Sequence, residues 1–166
     1  MRRTTVLLST ALLSSGLFAA TASPAGACPR VPFYGLTSSQ VRIPFSGIPH
    51  FKNGPGGSVT ATRSTSKSVS FQVTAGAESE VGAVLAKAKV SVSASLTRSQ
   101  STDVVVSYHH SIPAGKFGNL RYVSYGRKVN WKKYVFDGSC RQHQIGSGTI
   151  KFPTQSEGWY YWTTSQ

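Results

Sequence analysis

The sequence predicts an all-β protein, a single elongated antiparallel β domain with a long Ser/Thr-rich amphipathic hairpin. Apolar and polar residues alternate over 68–75 and again over 90–99, so each stretch would form a strand with one apolar and one polar face. From residue 108 onward, short runs rich in Val, Tyr and Trp are separated by turns that contain glycine, a pattern typical of antiparallel sheets. A length of 166 residues fits one domain.

Residues 1–27 are predicted to be a secretory signal peptide, which leaves 28–166 as the single β domain. Arg2 and Arg3 precede an apolar run over 6–22, and small residues follow up to Ala27. Cleavage after Ala22 or after Ala27 fits this pattern. We therefore expect a secreted, extracellular protein, and a lipoprotein anchored through Cys28 is the alternative. The sequence after residue 27 contains no run of about 20 apolar residues that would cross a bilayer as a helix.

The two cysteines of the chain, Cys28 and Cys140, are expected to form a disulfide. A secreted protein folds in an oxidising compartment, where paired cysteines persist as disulfides. The bond would tie the start of the domain to its C-terminal third. Lipidation of Cys28 would be the competing use of one of these thiols, and nothing near either cysteine indicates an activated thiol.

The first part of the domain, 28–57, is predicted to be an irregular arm. It is rich in proline and glycine, which interrupt strands and favour turns. Short apolar clusters such as 41–45 allow at most short edge strands. The sequence Asn-Gly-Pro-Gly-Gly at 53–57 marks a firm turn at the end of this arm.

The second part, 58–107, is rich in Ser and Thr and supplies the amphipathic strands. Between these strands, 81, 84, 85 and 88 are apolar at the spacing of a helix face, so 77–89 forms either a short helix or the distal end of the hairpin. The stretches 66–77 and 89–101 are long enough for membrane-spanning strands, which need about 9–11 residues. In the alternative, an ordinary soluble sheet, the apolar face packs on the core. The candidates for the apolar face of a membrane hairpin are Val69, Phe71, Val73, Val90, Val92 and Leu96.

Four blocks of sequence carry a family resemblance. They are Thr-Arg-Ser-Thr-Ser-Lys-Ser-Val-Ser-Phe at 62–71, the amphipathic region 78–96, Val-Val-Val at 104–106 and the turn Ile-Pro-Ala-Gly-Lys at 112–116. Together they resemble the pore-forming module of aerolysin-type toxins, in the epsilon-toxin and mosquitocidal-toxin branch, and the chain also resembles small secreted β-proteins of actinobacteria. The toxin resemblance implies homo-oligomerisation and insertion of a β-hairpin into a target membrane. Copies of the hairpin would line a pore, with Ser and Thr inward and Val, Ala and Leu outward.

The last part, 108–166, is predicted to be an aromatic and basic β body. The chain has 18 Lys and Arg against 5 Asp and Glu, a net charge of +13. A basic surface of this kind attracts the phosphates of membranes or cell-envelope polymers. Nucleic acid is not the expected partner, because no recognition motif accompanies the charge. The candidate residues for binding an anionic surface are Lys116, Arg121, Arg127, Lys128, Lys132, Lys133, Trp131 and Tyr134.

The aromatic residues of this part also have a structural explanation, in which they form a core and the cations around them are solvated. In Trp-Tyr-Tyr-Trp at 159–162, alternation would place one Trp–Tyr pair in the core and leave the other pair exposed or at an interface.

Catalytic and metal-binding motifs are missing from the sequence, so we expect no enzyme activity, no cofactor and no metal. Only five carboxylates are present, without a nucleophile elbow or a phosphate-binding glycine loop. His109 and His110 would point to opposite faces of a strand and could not share a metal. The expected function is binding to an anionic surface, with pore formation as a further step. A soluble interaction or inhibitor protein is the alternative, followed by a small basic hydrolase or nuclease.

Overall fold

The computed structural model describes residues 28–63, 66–92, 95–103 and 105–165, so the predicted signal peptide lies outside the described residues. Antiparallel strands dominate these ranges, which confirms the predicted all-β class. A 3₁₀ turn (Glu78–Glu80) leads into one helix, α1 (Val81–Val92), so the helical alternative for 77–89 is the correct one. The strands are β1 (Phe33–Pro44), β2 (Phe51–Asn53), β3 (Gly57–Arg63), β4 (Lys67–Ser70), β5 (Gln72–Val73), β6 (Ser99–Thr102), β7 (Val106–Ile112), β8 (Phe117–Phe136), β9 (Gln142–Phe152) and β10 (Glu157–Thr164).

The central strand is β8, whose 20 residues organise a six-stranded antiparallel sheet. One edge of β8 pairs with β1 and β2, and the other edge pairs with β9 and then β10. Alternate side chains of β8 point to opposite faces of this sheet. We call the face that carries Leu120 and Tyr122 the hairpin face. We call the face that carries Val129 and Trp131 the helix face.

The helix face is covered by α1 at one end of the sheet. Four apolar residues, one turn or less apart, bury the same side of α1. They pack against Val129, Trp131, Ile150 and Phe152 in one core cluster. The indole of Trp131 lies over Gly148, where a Cβ would be 3.0 Å from its Nε1 atom. The spacing that predicted a helix therefore also predicted its buried side, which is formed by Val81, Val84, Leu85 and Ala88.

The hairpin face is covered at the opposite end of the sheet by two small antiparallel ladders, β3–β7 and β4–β6. Val59, Ala61 and Ile112 pack on Leu120. A neighbouring cluster joins Ile43, Phe45, Ile48, Val69 and Tyr122. One sheet thus has two cores on opposite faces and at opposite ends, and half of each face remains uncovered.

The prediction of an irregular arm over 28–57 is wrong for β1, which is 12 residues long. Pro32 precedes this strand and Pro44 ends it, so neither proline interrupts the ladder. The whole strand pairs on one side only, with β8, from Phe33–Tyr134 to Pro44–Val123. An edge strand tolerates such a composition because only one row of its backbone groups must be paired.

The predicted strand over 89–101 is wrong for its first part, because α1 continues through Val92. Burying the helical stripe in the core outweighs the period-two alternation that follows it. Val90 is consequently 81% exposed on the outer side of the helix. Leu96 is buried and forms an isolated bridge with Thr154. Of the other hairpin candidates, Val69 lies on β4, Phe71 follows β4 and Val73 lies on β5.

The predicted disulfide is confirmed: Cys28 and Cys140 are bonded, with a Cα–Cα distance of 5.5 Å. The bond fastens the residues that precede β1 to the turn between β8 and β9. The helices of the described part of the chain include none that is long and apolar enough to cross a membrane.

Candidate anionic-surface interface

The uncovered half of the helix face carries a row of aromatic and cationic side chains. We call it the aromatic strip, and it consists of His50, Trp162, Tyr160 and Arg42. Tyr160 and Trp162 lie on β10, whose partners on β8 are Arg121 and Asn119. Their chain neighbours, Trp159 and Tyr161, point to the hairpin face and pack against its cores. The alternation predicted for 159–162 is therefore confirmed.

The members of the aromatic strip stack on one another. The ring centroids of His50 and Trp162 are 5.1 Å apart at an interplanar angle of 13°, and those of Trp162 and Tyr160 are 5.2 Å apart at 19°. The guanidinium of Arg42 lies 4.0 Å from the Tyr160 centroid as a cation–π contact. Because Trp162 and Tyr160 each lie between two neighbours, their ring faces are covered and their ring edges remain for contact with a partner. Such amphipathic edges suit an interface that is apolar on one side and polar on the other.

Asn119 anchors the strip to β8. It is 2% exposed, and its Oδ1 atom shares a hydrogen bond of 3.0 Å with His50 Nε2. Its amide nitrogen donates to Thr164 Oγ1 at 3.2 Å. These contacts hold the His50 ring against Trp162 although His50 itself lies outside any strand. The strip is therefore a built feature of the fold and not a chance meeting of surface side chains.

Further cations border the strip on the same face. Arg121 is exposed beside Tyr160, and the Lys52 ammonium lies 4.6 Å from the Phe117 centroid. Arg127 lies two positions beyond Tyr125 on β8. Within the described ranges, no carboxylate lies at salt-bridge distance from Arg42 or from these three cations. The face therefore carries uncompensated positive charge.

The candidate residues predicted from sequence divide between both faces of the sheet. Arg121 and Arg127 lie on the helix face, whereas Lys128, Lys132 and Tyr134 lie on the hairpin face. Lys116 lies in the turn before β8 and donates to Ser165 Oγ at 2.8 Å. The alternation of side chains along β8 separates these residues, so they do not form one surface.

Two of the predicted surface residues have structural roles instead. Trp131 is 4% exposed because α1 covers it, which corrects its assignment to the surface. Lys133 donates a hydrogen bond of 2.8 Å to Glu80, and the Tyr34 hydroxyl donates to the second oxygen of the same carboxylate. We call this contact the Glu80 latch, because it joins the 3₁₀ turn before α1 to the sheet.

The hydrogen bond from Lys133, followed by that from Tyr34, lowers the pKa of Glu80 below its ordinary value. The same bond to Glu80 raises the pKa of Lys133. Burial, followed by the bond to the carboxylate, raises the pKa of the Tyr34 hydroxyl. At neutral pH Glu80 and Lys133 are therefore charged and the Tyr34 hydroxyl keeps its proton. The Glu80 latch holds the beginning of the helical segment on the sheet.

Asp137 organises the turn that contains Cys140. His143 Nε2 lies 2.7 Å from one carboxylate oxygen, and the backbone N–H groups of Ser139 and Arg141 donate to the other. The bond to His143, then that to Arg141, holds the pKa of Asp137 at about 2. The described residues include no group of three or more His, Cys, Asp or Glu that could hold a metal ion.

The sequence-based prediction missed Arg42, His50 and Lys52, because all three lie in the part that was expected to be irregular. The alternation of Arg42 with Val41 and Ile43 was the available signal, since it places Arg42 on the face opposite the buried Ile43. The sequence matches no protein-family model and no curated protein. Fold and surface together define the class: an all-β domain with a cationic aromatic face.

Proposed function

We propose that this protein binds an anionic membrane surface through the aromatic strip and the cations that border it. The observation that carries the proposal is the uncovered half of the helix face, where stacked aromatic edges and unpaired cations share one surface. Lipid phosphates attract the cations, and Trp and Tyr rings favour the level of the lipid headgroups. Because these groups lie on one face of the sheet, they can approach a membrane together.

The test compares two double variants that remove the same charge from opposite faces. Arg121→Gln with Lys52→Gln changes the proposed interface, and Lys128→Gln with Lys132→Gln changes the hairpin face. Each cation near an anionic membrane contributes about 1 kcal/mol, so the first variant should bind about 30-fold more weakly. Binding is measured by sedimentation with vesicles of mixed phosphatidylglycerol and phosphatidylcholine.

The matched variant on the hairpin face should lose less than about threefold, because its cations point away from the membrane and act only through screened charge. Equal losses in the two variants would mean that net charge alone drives binding and that the strip has no special role. A wild-type protein that ignores anionic vesicles would refute the proposal.

A second step, insertion of a β-hairpin, is favoured by the register of the two ladders on the hairpin face. Their pairing runs without a bulge from Gly57–Ile112 through Arg63–Val106, and resumes in the same register from Lys67–Thr102 to Ser70–Ser99. The Phe71 N–H donates to the Arg98 carbonyl oxygen at 2.8 Å, one further step in that register. Beyond this point the strands part, because Gln72–Val73 pairs with β9. The segment 71–98 therefore connects the two strands at the end of one continuous hairpin.

Extending the observed register through 71–98 gathers most of the apolar side chains on one face, which also carries Arg98 opposite Phe71 and Ser79 opposite Val90. It would pair Val73 with Leu96 and Ala77 with Val92 on one face. On the other face it would pair Thr74 with Ser95 and Glu78 with Ser91. Successive pairs in an antiparallel ladder alternate between faces, so one face would be mainly apolar and the other mainly polar.

This extended hairpin would have the alternation of a strand that spans a membrane. We propose that the segment leaves the helix face and forms the hairpin when several copies assemble on the membrane. The alternative, a soluble interaction protein, has the same binding face but keeps α1 in place. Release of vesicle contents separates the two functions.

Val90→Asp and Ser91→Asp form the matched pair for this experiment. Both positions are exposed on α1, so both variants should fold like the wild type. In the hairpin, Val90 would face lipid and Ser91 the polar side. A charge on the lipid face costs up to about 2–4 kcal/mol for Lys or Arg, depending on depth, and less for Asp. Val90→Asp should therefore reduce dye release severalfold, while Ser91→Asp has little effect.

Binding to the vesicles should be the same for both variants, because neither position belongs to the aromatic strip. Equal dye release by the two variants would contradict the register. An absence of release by wild-type protein bound to vesicles would favour the soluble interaction protein.

A further inference from the structure

A cavity of about 560 Å³ opens on the helix face beside the aromatic strip. Its walls come from β1, from β8 and from the connection between β9 and β10. Gln40 pairs with Arg127 and Arg42 pairs with Tyr125 across the two antiparallel strands. The two arginines are thus diagonal neighbours on one face, with Cβ atoms about 7–8 Å apart. The residues that line the cavity include Gln40, Arg42, Tyr125, Arg127, Thr154 and Ser156.

The rim opposite the arginines is held in place by short-range hydrogen bonds. The Thr154 hydroxyl donates to the Tyr125 carbonyl, and Ser156 N–H donates to Thr154 Oγ1 at 3.2 Å. Tyr125 N–H donates in turn to the Ser156 carbonyl at 2.9 Å. This wall is therefore fixed before any ligand arrives, which lowers the entropic cost of binding.

The charge of the cavity determines which ligand fits. Two arginines, Arg42 and Arg127, line it, and none of the described lining residues is acidic. Each guanidinium can donate two parallel hydrogen bonds to phosphate oxygens. Two unpaired arginines match a group with two negative charges, whereas a phosphodiester offers only one. A volume of about 560 Å³ also exceeds that of a phosphate group alone and leaves space for the glycerol to which it is attached.

We propose that this cavity binds the terminal phosphate of a phosphomonoester lipid, with Arg42 and Arg127 holding the phosphate oxygens. The proposal rests on the proposed function, because it assumes that the aromatic strip lies on a membrane. Arg42 belongs to both the strip and the cavity, so a lipid headgroup at the strip is within reach of the second arginine. The cavity would give the protein a preference among anionic lipids that charge attraction alone does not supply.

The experiment compares vesicles of phosphatidic acid with vesicles of phosphatidylglycerol, both diluted in phosphatidylcholine to equal surface charge. The mature, oxidised protein should bind the phosphatidic acid vesicles about tenfold more tightly. Arg127→Gln should abolish this preference. Arg127→Lys should retain only part of it, since lysine keeps the charge but cannot donate two parallel hydrogen bonds to the phosphate. Lys128→Gln is the control, because it removes the same charge from the adjacent residue on the opposite face.

A second measurement identifies the group that is bound. Glycerol 3-phosphate should raise the melting temperature of the wild type but not that of Arg127→Gln, and should compete with phosphatidic acid vesicles. Equal binding of the two lipids, or equal behaviour of Arg127→Gln and Lys128→Gln, would overturn the proposal while membrane binding stands. Thermal stabilisation without binding to any vesicle would refute the proposed function and the lipid ligand together.

Discussion

Replacing Val84 by alanine should make it easier for α1 to leave the sheet. Val84 is fully buried between α1 and the helix face. Removing two carbons from it loses about 1.6 kcal/mol of transfer free energy, and the resulting cavity brings the loss to about 2.5 kcal/mol. The better helix propensity of alanine offsets about 0.5 kcal/mol. The net loss of about 2 kcal/mol corresponds to about 30-fold more undocked helix.

Hydrogen exchange measured by mass spectrometry can detect this change directly. Peptides that cover α1 should lose about 30-fold in protection. Peptides from the centre of β8 exchange through global unfolding and should lose a similar factor, because unfolding breaks the same contacts. Val59→Ala is the matched control, because Val59 is 3% exposed in the core on the opposite face. That variant should lower the global stability without selectively exposing α1.

The same variants connect local stability to function. If the helical segment must leave the sheet before insertion, Val84→Ala should speed the release of vesicle contents. Val59→Ala leaves the contacts of α1 intact and should not speed it. Equal loss of protection along the whole chain in both variants would show that α1 opens only when the domain unfolds. Such a result would refute the independent release of this segment.

Three further predictions concern stability. Cys28→Ser/Cys140→Ser opens a loop with a sequence separation of 112. The free energy of unfolding in urea should fall by a value near the chain-entropy cost of about 4.8 kcal/mol. A loss below about 1 kcal/mol would mean that the bond does not constrain the unfolded chain. Asp137 has a lowered pKa of about 2, so the stability that it contributes is present above the pKa of this carboxyl in the unfolded chain and is lost as pH falls toward 2. Asp137→Asn should therefore make the urea midpoint depend less on pH between pH 4 and 2. An unchanged pH dependence would contradict this. Lys128 and Lys151 are direct cross-strand partners of like charge. Lys128→Thr should therefore raise the urea midpoint at low salt but not at high salt, where the repulsion is screened. A gain that does not depend on salt would contradict this explanation.

The elements that sequence predicted well are those whose evidence is local. The disulfide needed only two cysteines and a predicted signal peptide. The helix stripe around Val84 needed only the spacing of four apolar residues. Alternation over 159–162 correctly divided Trp159 from Tyr160. The last two patterns are complete within a few residues, and the disulfide had no alternative pairing because the chain has only two cysteines.

The features that sequence could not provide depend on pairing between distant strands. Trp131 lies in a basic run and resembles a surface residue, but it is buried because Gly148 on β9 leaves space for its indole. The aromatic strip joins His50, Arg42 and β10 across β8, and no pattern within one segment predicts that juxtaposition. Register is a long-range property, and one residue of slip would reverse every face.

The segment 71–98 carries two periodicities, and the surroundings decide which of them forms the structure. In the structure the segment forms a helix, because its apolar stripe covers Val129, Trp131 and Phe152 and because the Glu80 latch holds the 3₁₀ turn that precedes it. Moving this segment into a hairpin would expose those core residues to water, so membrane contact alone does not compensate for its release. A neighbouring copy that covers the helix face would compensate, and it would also pair the edges of the new hairpin, which hydrocarbon cannot do. The contacts therefore impose an order on the proposed function: docking comes first, assembly follows, and the hairpin forms last.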